Sequence, residues 1–456
     1  MTATEPQYFN MNVEPLLNTE QMRDLQEKKL QSTLKFFHTH VPFEQRRFAA
    51  AGVKPEDIRS LEDFSKVFPI AGQEDYRKVF DEVENDMGKA YDILFGRERM
   101  QNLHLLTTTS GTTGIPTPYP VFNKTPETMG EIFGRIGWRV GLRGGDRLGI
   151  FFGLSMHAAG TPQIYWFSKI KGLTVVPIGA EAGTERMLKM MQLFKINTFS
   201  GTPSLAAHLI ERAPDVLGTS VKSLNLKTLL CGAEPGAGIP EVRRRLEETY
   251  GAGVYDIGAG YGVSCNYPEY QGMHWVADDY CYYELVDPET LAPIPMTHGA
   301  TGLAVFTPIE PESTIFFANL RFTLNDIHQV FTDPCPCGRS GFRYKVVGRA
   351  DDMLKVKGVP VYPAAIQGVI NDFVPKVTGA FRIILEVPPP RVVPPLKLKI
   401  ESGEGVGPDE RKALEAAIET KMHSLLKIRP HITWLDPFTL ERATKKTQLL
   451  EKHYEA

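Results

Sequence analysis

Cysteine is scarce in this chain: Cys231, Cys265, Cys281, Cys335 and Cys337 are all there are among 456 residues. That excludes a disulfide scaffold and leaves metal ligation or core packing as uses for the thiols. A charge excess is missing too, since 51 lysines and arginines stand against 54 aspartates and glutamates, a net charge of -3. No global field would gather nucleic acid or an anionic membrane, so any polyanion must be held locally. No run approaches the roughly 20 apolar residues that span a bilayer. The opening MTATEPQYFNMNVEP has neither the basic nor the apolar part of a signal peptide. The expectation is a cytoplasmic protein with no nucleic-acid or membrane partner. With 42% hydrophobic and 23% charged residues, the chain can fill two or three packed cores.

What is present has a clear rhythm. From Thr19 to His40, Met22, Leu25, Leu30, Leu34 and Phe37 fall close to helical spacing behind a capping threonine. Short apolar runs ending in Gly or Pro follow: DRLGIFFG, LTVVPIG, NTFSGTPS, LKTLLCGAEPG and GAGVYDIGAG. Such runs suit buried parallel strands, with 184–195 and 238–250 as connecting helices, and predict an α/β, doubly wound domain. From Cys281 to Thr307 the pattern reads strand, proline-rich turn, strand, which predicts an accessory antiparallel sheet. Beyond Lys345 the chain takes an α+β rhythm, with a Pro-dense hairpin, EVPPPRVVPPLKLKI, and a helix from Pro408 to Lys427. Charge and glycine break the apolar pattern near Arg349 to Asp352, so the expected domains are 1–349 and 350–456.

Residues 105–120, LLTTTSGTTGIPTPYP, concentrate seven Ser and Thr hydroxyls and two glycines in one loop. It is not a Walker A motif, because no Gly-Lys-Ser or Gly-Lys-Thr follows. Hydroxyls and backbone N–H groups in a glycine-rich loop can enclose a triphosphate; a polar turn between strands fits the loop alone equally well. Cys335-Pro336-Cys337-Gly338 poses a second question, since cysteines one residue apart can share a metal but make a strained disulfide. On spacing alone a reduced turn without metal is the better reading, because CxC is not the usual zinc pattern.

Several motifs in order resolve the loop. Thr108, Thr109, Ser110, Gly111, Thr112, Thr113 and Gly114, with Pro116 and Thr117, resemble the phosphate loop of the adenylate-forming superfamily, specifically its phenylacetate-CoA ligase branch. Gly232, Ala233, Glu234 and Pro235 resemble the branch's adenine-side turn, and the stretch from Arg321 to Asp326 resembles the one ending in a ribose-binding Asp. Gly348 to Gly358, GRADDMLKVKG, resembles the hinge motif, and the likeness extends to the N-terminal helix, covering nearly the whole chain.

The resemblance implies a large N-terminal domain and a small mobile C-terminal one. It also implies two half-reactions: a carboxylate attacks the ATP α-phosphate to give acyl-AMP and pyrophosphate, then coenzyme A displaces AMP. Lys446 stands where the family places its catalytic lysine, with Lys445 as the fallback; taken alone, this pair reads as a solvated tail. Asp326, Arg349 and Asp256 join Gly232 to Pro235 around adenosine, where a carboxylate suits a ribose diol. Asp351 is the implied hinge, and Lys357 and Gly358 line the coenzyme A tunnel, where glycine adds no side chain. The branch prefers aryl or arylacetic acids. The segment FFGLSMHAAG, 151–160, with Phe152 and His157, is the expected pocket wall; such a histidine more often simply packs.

One departure stands out. The family follows its adenine turn with an aromatic-Gly-x-Ser/Thr-Glu motif whose Glu helps hold magnesium, and no Glu occupies that place here. The chain has Gly258, Ala259 and Gly260 ahead of Tyr261, a glycine-rich stretch expected to open space beside the acyl pocket. Glu234 or Glu269 supports the metal, or the phosphate loop and water hold it largely alone, or adenylation is weakened or absent. Some family members carry zinc near the remaining cysteines, which implies a structural Zn2+ on Cys265, His274, Cys335 and Cys337, with Cys281 competing and Cys231 a buried strand residue. Homodimerisation is a further family expectation. Two rivals stay open: transfer to a carrier-protein thiol or an amine instead of coenzyme A, and a catalytically silent nucleotide-binding homologue.

Overall fold

The apolar runs form strands because each is too short for a helix and ends where Gly or Pro forces a turn. A computed structural model describes residues 6–108, 117–258, 261–313, 318–357, 359–440 and 449–454. β1 (Leu103–Thr108) and β2 (Pro118–Phe122) form a separate antiparallel hairpin. Then come β3 (Arg147–Ile150), β4 (Thr174–Pro177), β5 (Thr198–Gly201), β6 (Thr228–Gly232) and β7 (Gly253–Gly258), which pair in parallel. All of β5 and β6 is buried, as continuous apolar runs in a covered parallel sheet require.

The helices between them carry the expected punctuation. Pro203–Leu217 starts behind Thr202, whose hydroxyl accepts from Leu205 N–H at 3.2 Å, and ends at Gly218 with φ 70°. Pro240–Tyr250 ends at Gly251 in the same left-handed conformation. At the N-terminus, Glu20–His40 is capped by Thr19. Its buried stripe is Met22, Gln26, Leu30, Thr33, Leu34 and Phe37. Leu25 turns outward instead of joining that stripe, because Gln26 takes the inner position and donates to the Asp278 carbonyl at 2.7 Å.

The antiparallel strands continue the parallel ones. β8 (Gly262–Ser264), β9 (Met273–Trp275), β10 (Cys281–Val286), β11 (Pro293–Ile294), β12 (Thr301–Pro308), β13 (Asp326–Phe331) and β14 (Arg343–Arg349) complete one 12-stranded sheet, ordered β11-β10-β12-β13-β14-β9-β8-β7-β6-β5-β3-β4. The change of direction is made by the β7–β8 hairpin, where Gly258 pairs with Gly262.

A different core occupies the last quarter of the chain. β15 (Leu354–Val356), β16 (Val359–Val361), β17 (Val377–Leu385), β18 (Arg391–Val392), β19 (Leu396–Ser402), β20 (Pro430–Leu435) and β21 (Leu450–Lys452) form two small sheets. Helices Pro363–Asn371 and Pro408–Leu426 pack with them around a cluster running from Leu354 to Ile432. A small apolar cluster of Val286, Leu303, Val305 and Ile327 meets Tyr362, so this unit touches the large sheet. No helix among the described residues is long and apolar enough to cross a membrane.

Candidate functional site

The hairpin β1–β2 brackets the candidate phosphate loop, with Thr108 opposite Pro118. Thr109 to Gly114 lie outside the described residues. At the root of the loop, Thr108 N–H donates to the Met156 carbonyl at 2.6 Å and its own carbonyl accepts from Ala158 N–H at 3.0 Å. The expected acyl wall is therefore joined by backbone hydrogen bonds to the expected phosphate loop. Phe152 is buried in that wall, and His157 Nδ1 accepts from Ala159 N–H at 3.2 Å, so the imidazole shapes its own turn.

At the carboxyl end of β6 the chain must bend sharply beside β7. A side chain at Gly232 would come within 2.5 Å of the Ile257 carbonyl, which explains the glycine. Ala233 follows with φ 69°, a left-handed conformation uncommon outside glycine and a form of strain that gathers at functional turns. The Glu234 carboxylate accepts from Ser204 N–H at 2.8 Å, at the start of helix Pro203–Leu217. Asp256 on β7 accepts from the Tyr270 hydroxyl at 2.8 Å, yet burial pushes its carboxyl up to about 6.

Asp326 and Arg349 face each other across β13 and β14, Nη1 to Oδ1 3.4 Å. The Arg349 guanidinium also grips Asp351 through two bonds of 2.9 and 2.6 Å, and Asp352 lies 3.6 Å from its Nε. The hinge motif thus closes on its own arginine. Asn325, at φ 68°, accepts from Ala350 N–H at 2.7 Å and ties the two stretches together. Lys357 is exposed with φ 50°; Gly358 and Lys446 lie outside the described residues.

The expected space at Gly258 is filled. A Cβ there would sit 2.7 Å from the Met273 thioether, and one at Gly262 would sit 2.4 Å from the Tyr344 hydroxyl. Large side chains from β9 and β14 have moved in where small residues gave room; Ala259 and Gly260 are not described. Glu269 is exposed, and the Glu234 carboxylate caps the helix at Ser204.

Cys265, His274, Cys335 and Cys337 come together with their ligand atoms within 4.8 Å of one another. Zinc bonded to thiolates at about 2.3 Å would hold neighbouring sulfurs about 3.8 Å apart in a tetrahedron. Cys265 Sγ and Cys335 Sγ are 3.8 Å apart, and Cys337 Sγ is 3.3 Å from His274 Nε2. The other ring nitrogen, Nδ1, lies 3.1 Å from the Ser340 carbonyl, which leaves Nε2 facing the sulfurs as a metal ligand needs. The hydrogen bond from Cys265, assisted by His274, holds the Cys337 thiol well below its ordinary range against burial. Cys231 is fully buried in β6, and Cys281 lies in the main core away from the cluster.

The N-terminal segment clasps this loop from outside. Ser340 N–H donates to the Tyr8 hydroxyl at 3.0 Å, Ser340 Oγ donates to the Glu14 carbonyl, and Gln7 reaches the Gly338 carbonyl at 3.3 Å. Arg139, buried and paired with Glu14 at 2.8 Å, reaches the Ser340 carbonyl as well. Sequence reasoning missed Tyr270, Ser340 and Tyr344, because each acts on a partner far along the chain and carries no local motif.

Residues 358–452 match the family model of the AMP-binding enzyme C-terminal domain. The phenylacetate-coenzyme A ligase of Thermus thermophilus is 31% identical over 388 residues, covering 82% of this chain and 81% of that one. The enzyme of the same description from Aromatoleum evansii is 27% identical over 95% of both chains. Among solved structures, 2-hydroxyisobutyryl-CoA ligase in its postadenylation state superposes with a TM-score of 0.85 at 24% identity, over 99% of this chain and 94% of that one, which supports the shared fold. On this kinship, extending over most of both chains, the protein belongs to the phenylacetate-CoA ligase family of adenylate-forming enzymes.

Proposed function

We propose that the protein is an AMP-forming acid–CoA ligase whose acid is aromatic, an aryl or arylacetic carboxylate. The observation that carries the reading is the 31% identity to a phenylacetate-coenzyme A ligase over four-fifths of both chains. In the first step a carboxylate oxygen bonds to the ATP α-phosphorus and pyrophosphate leaves. In the second the coenzyme A sulfur bonds to the acyl carbon and AMP leaves, taking the electron pair of the broken bond.

The first step joins two anions, so cations and donors must offset the developing charge. Lys446 supplies the mobile positive charge, and the loop Thr108 to Gly114 the donors. Asp326 accepts from the ribose hydroxyls, Arg349 adds donors once its grip on Asp351 loosens, and the turn Gly232 to Pro235 with Asp256 borders adenine. Phe152, His157 and the stretch Gly258, Ala259 and Gly260 border the acid. The phosphate loop, with water, would hold the magnesium that offsets phosphate charge, an ion that tolerates few protein ligands because it dehydrates reluctantly.

The protein divides into domains 1–349 and 350–456, pivoting at Asp351 so that Lys446 gives way to Lys357 and Gly358 beside the coenzyme A tunnel. Residues Cys265, His274, Cys335 and Cys337 hold a structural zinc: three thiols and one imidazole leave no open position for chemistry. The protein acts as a cytoplasmic homodimer.

The test is ATP-dependent pyrophosphate release over benzoic, phenylacetic, hydroxylated and heteroaromatic acids, with and without coenzyme A. Release with an acyl-CoA product is expected for at least one aromatic acid. Release without thioester would redirect the acyl group to a carrier thiol or an amine, and no release with any acid would favour a silent nucleotide binder.

A further inference from the structure

We propose that Tyr344 is a positioning residue for the acid-binding side of the site, acting by holding the Gly258 carbonyl and with it the turn between β7 and β8. This rests on the reading above that Gly258 borders the acid. Tyr344 lies on β14, 86 residues from its partner, and donates its hydroxyl to the Gly258 carbonyl at 2.6 Å. The same carbonyl accepts from Tyr261 N–H at 3.2 Å, so Gly258 is tied by one local bond and one from a distant strand.

Position makes that bond consequential. β7 is the last parallel strand, and Gly258 is its carboxyl end, where the sheet reverses direction and where ligands of α/β sheets gather. β14 also presents Arg349 opposite Asp326 on β13. One strand therefore supports the candidate ribose pair at its end and the candidate acid side from its start.

The Tyr344 ring is fixed so that its hydroxyl has one direction to point. It is fully buried, and the His328 imidazole stacks on it at 4.7 Å and 14°. His328 is in turn oriented by the Tyr283 hydroxyl, 3.0 Å from its Nδ1. Gly262, lacking a side chain, lets the ring approach. Burial pushes the phenol far above its ordinary range, so it remains a donor at any physiological pH. A phenylalanine would fill the same volume; the hydroxyl adds only the bond to the turn. A core residue needs the ring, and a positioning residue needs the oxygen.

The experiment compares full-length wild type, Tyr344→Phe and Tyr250→Phe by amide hydrogen exchange at residues 258–262 and by steady-state kinetics with the acid that turns over best. For Tyr344→Phe, exchange in the turn and KM for the acid should each rise about fivefold, the scale of one hydrogen bond, while KM for ATP stays put. Tyr250→Phe removes a buried hydroxyl that donates to the Ala206 carbonyl at 2.8 Å in a different core cluster, and should lower Tm without shifting KM for the acid. Unchanged exchange in Tyr344→Phe, a parallel rise in both KM values, or the same acid effect from Tyr250→Phe would overturn the proposal. A wild type inert to every acid sinks the ligase reading instead, and the exchange comparison alone then decides whether Tyr344 holds the turn.

Discussion

The Cys/His cluster and the candidate nucleotide site are built on opposite principles. The cluster is buried except at the partly exposed Cys337, complete among the described residues, and braced: His274 is oriented by Ser340, and Ser340 is clasped by Tyr8, Glu14 and Arg139. The nucleotide site is assembled from strand ends and turns whose charged groups, Arg349, Asp351 and Asp352, engage one another at half-exposed positions. The first is suited to hold still. The second is suited to exchange partners when a ligand enters or a domain turns, because exposed ion pairs are worth little and rearrange readily.

The sharpest way to separate the two is to damage each and read both rate and stability. Lys446→Ala should lower acyl-AMP formation by about 100-fold or more, the scale of removing one transition-state charge, with ATP binding and Tm retained; normal adenylation would unseat Lys446. Cys337→Ser should do the reverse. Protein purified without chelator is expected to hold about one zinc per chain, and the variant should lose it, melt several degrees lower and release the N-terminal segment to proteolysis. Metal-free wild type of full stability would end the contrast.

A smaller effect should appear in pH. The Asp256 carboxyl is raised from 3.8 to about 6 by burial, so the stability it contributes is complete below the unfolded value and is lost as pH rises through the folded one. Wild type should therefore lose stability relative to Asp256→Asn between about pH 4 and pH 6, read by denaturant midpoints. Parallel profiles would remove burial as the cause. The smallest expected effect is at the adenine-side turn: Ala233→Gly relieves φ 69° and should gain up to about 1 kcal/mol of stability. A loss would mean that the methyl group packs better than its exposure suggests.

The two regions also differ in how far they could be read beforehand. The nucleotide motifs are local, since a hydroxyl-rich loop, a Gly-Ala-Glu-Pro turn and an Arg-Ala-Asp-Asp hinge carry their chemistry within a few residues. The strands and helices around them followed from apolar period and from Gly and Pro punctuation, as β5, β6 and helix Pro240–Tyr250 illustrate. The metal cluster was a different case, because CxC spacing argued against zinc and only the resemblance argued for it. The space expected at Gly258 was misjudged because Met273 and Tyr344, which fill it, arrive from strands the local sequence does not mention.

The sequence by itself determined the α/β rhythm, the family and the residue types offered to a nucleotide, since these depend on patterns within one segment or on motifs in order. Only the tertiary structure decided that the antiparallel strands continue the parallel sheet, that Tyr270 caps Asp256, that Ser340 orients His274, and that Tyr344 holds Gly258. Those are pairings between residues 14 to 86 positions apart, fixed by strand register and side-chain volume, and such contacts exist only once the chain has packed.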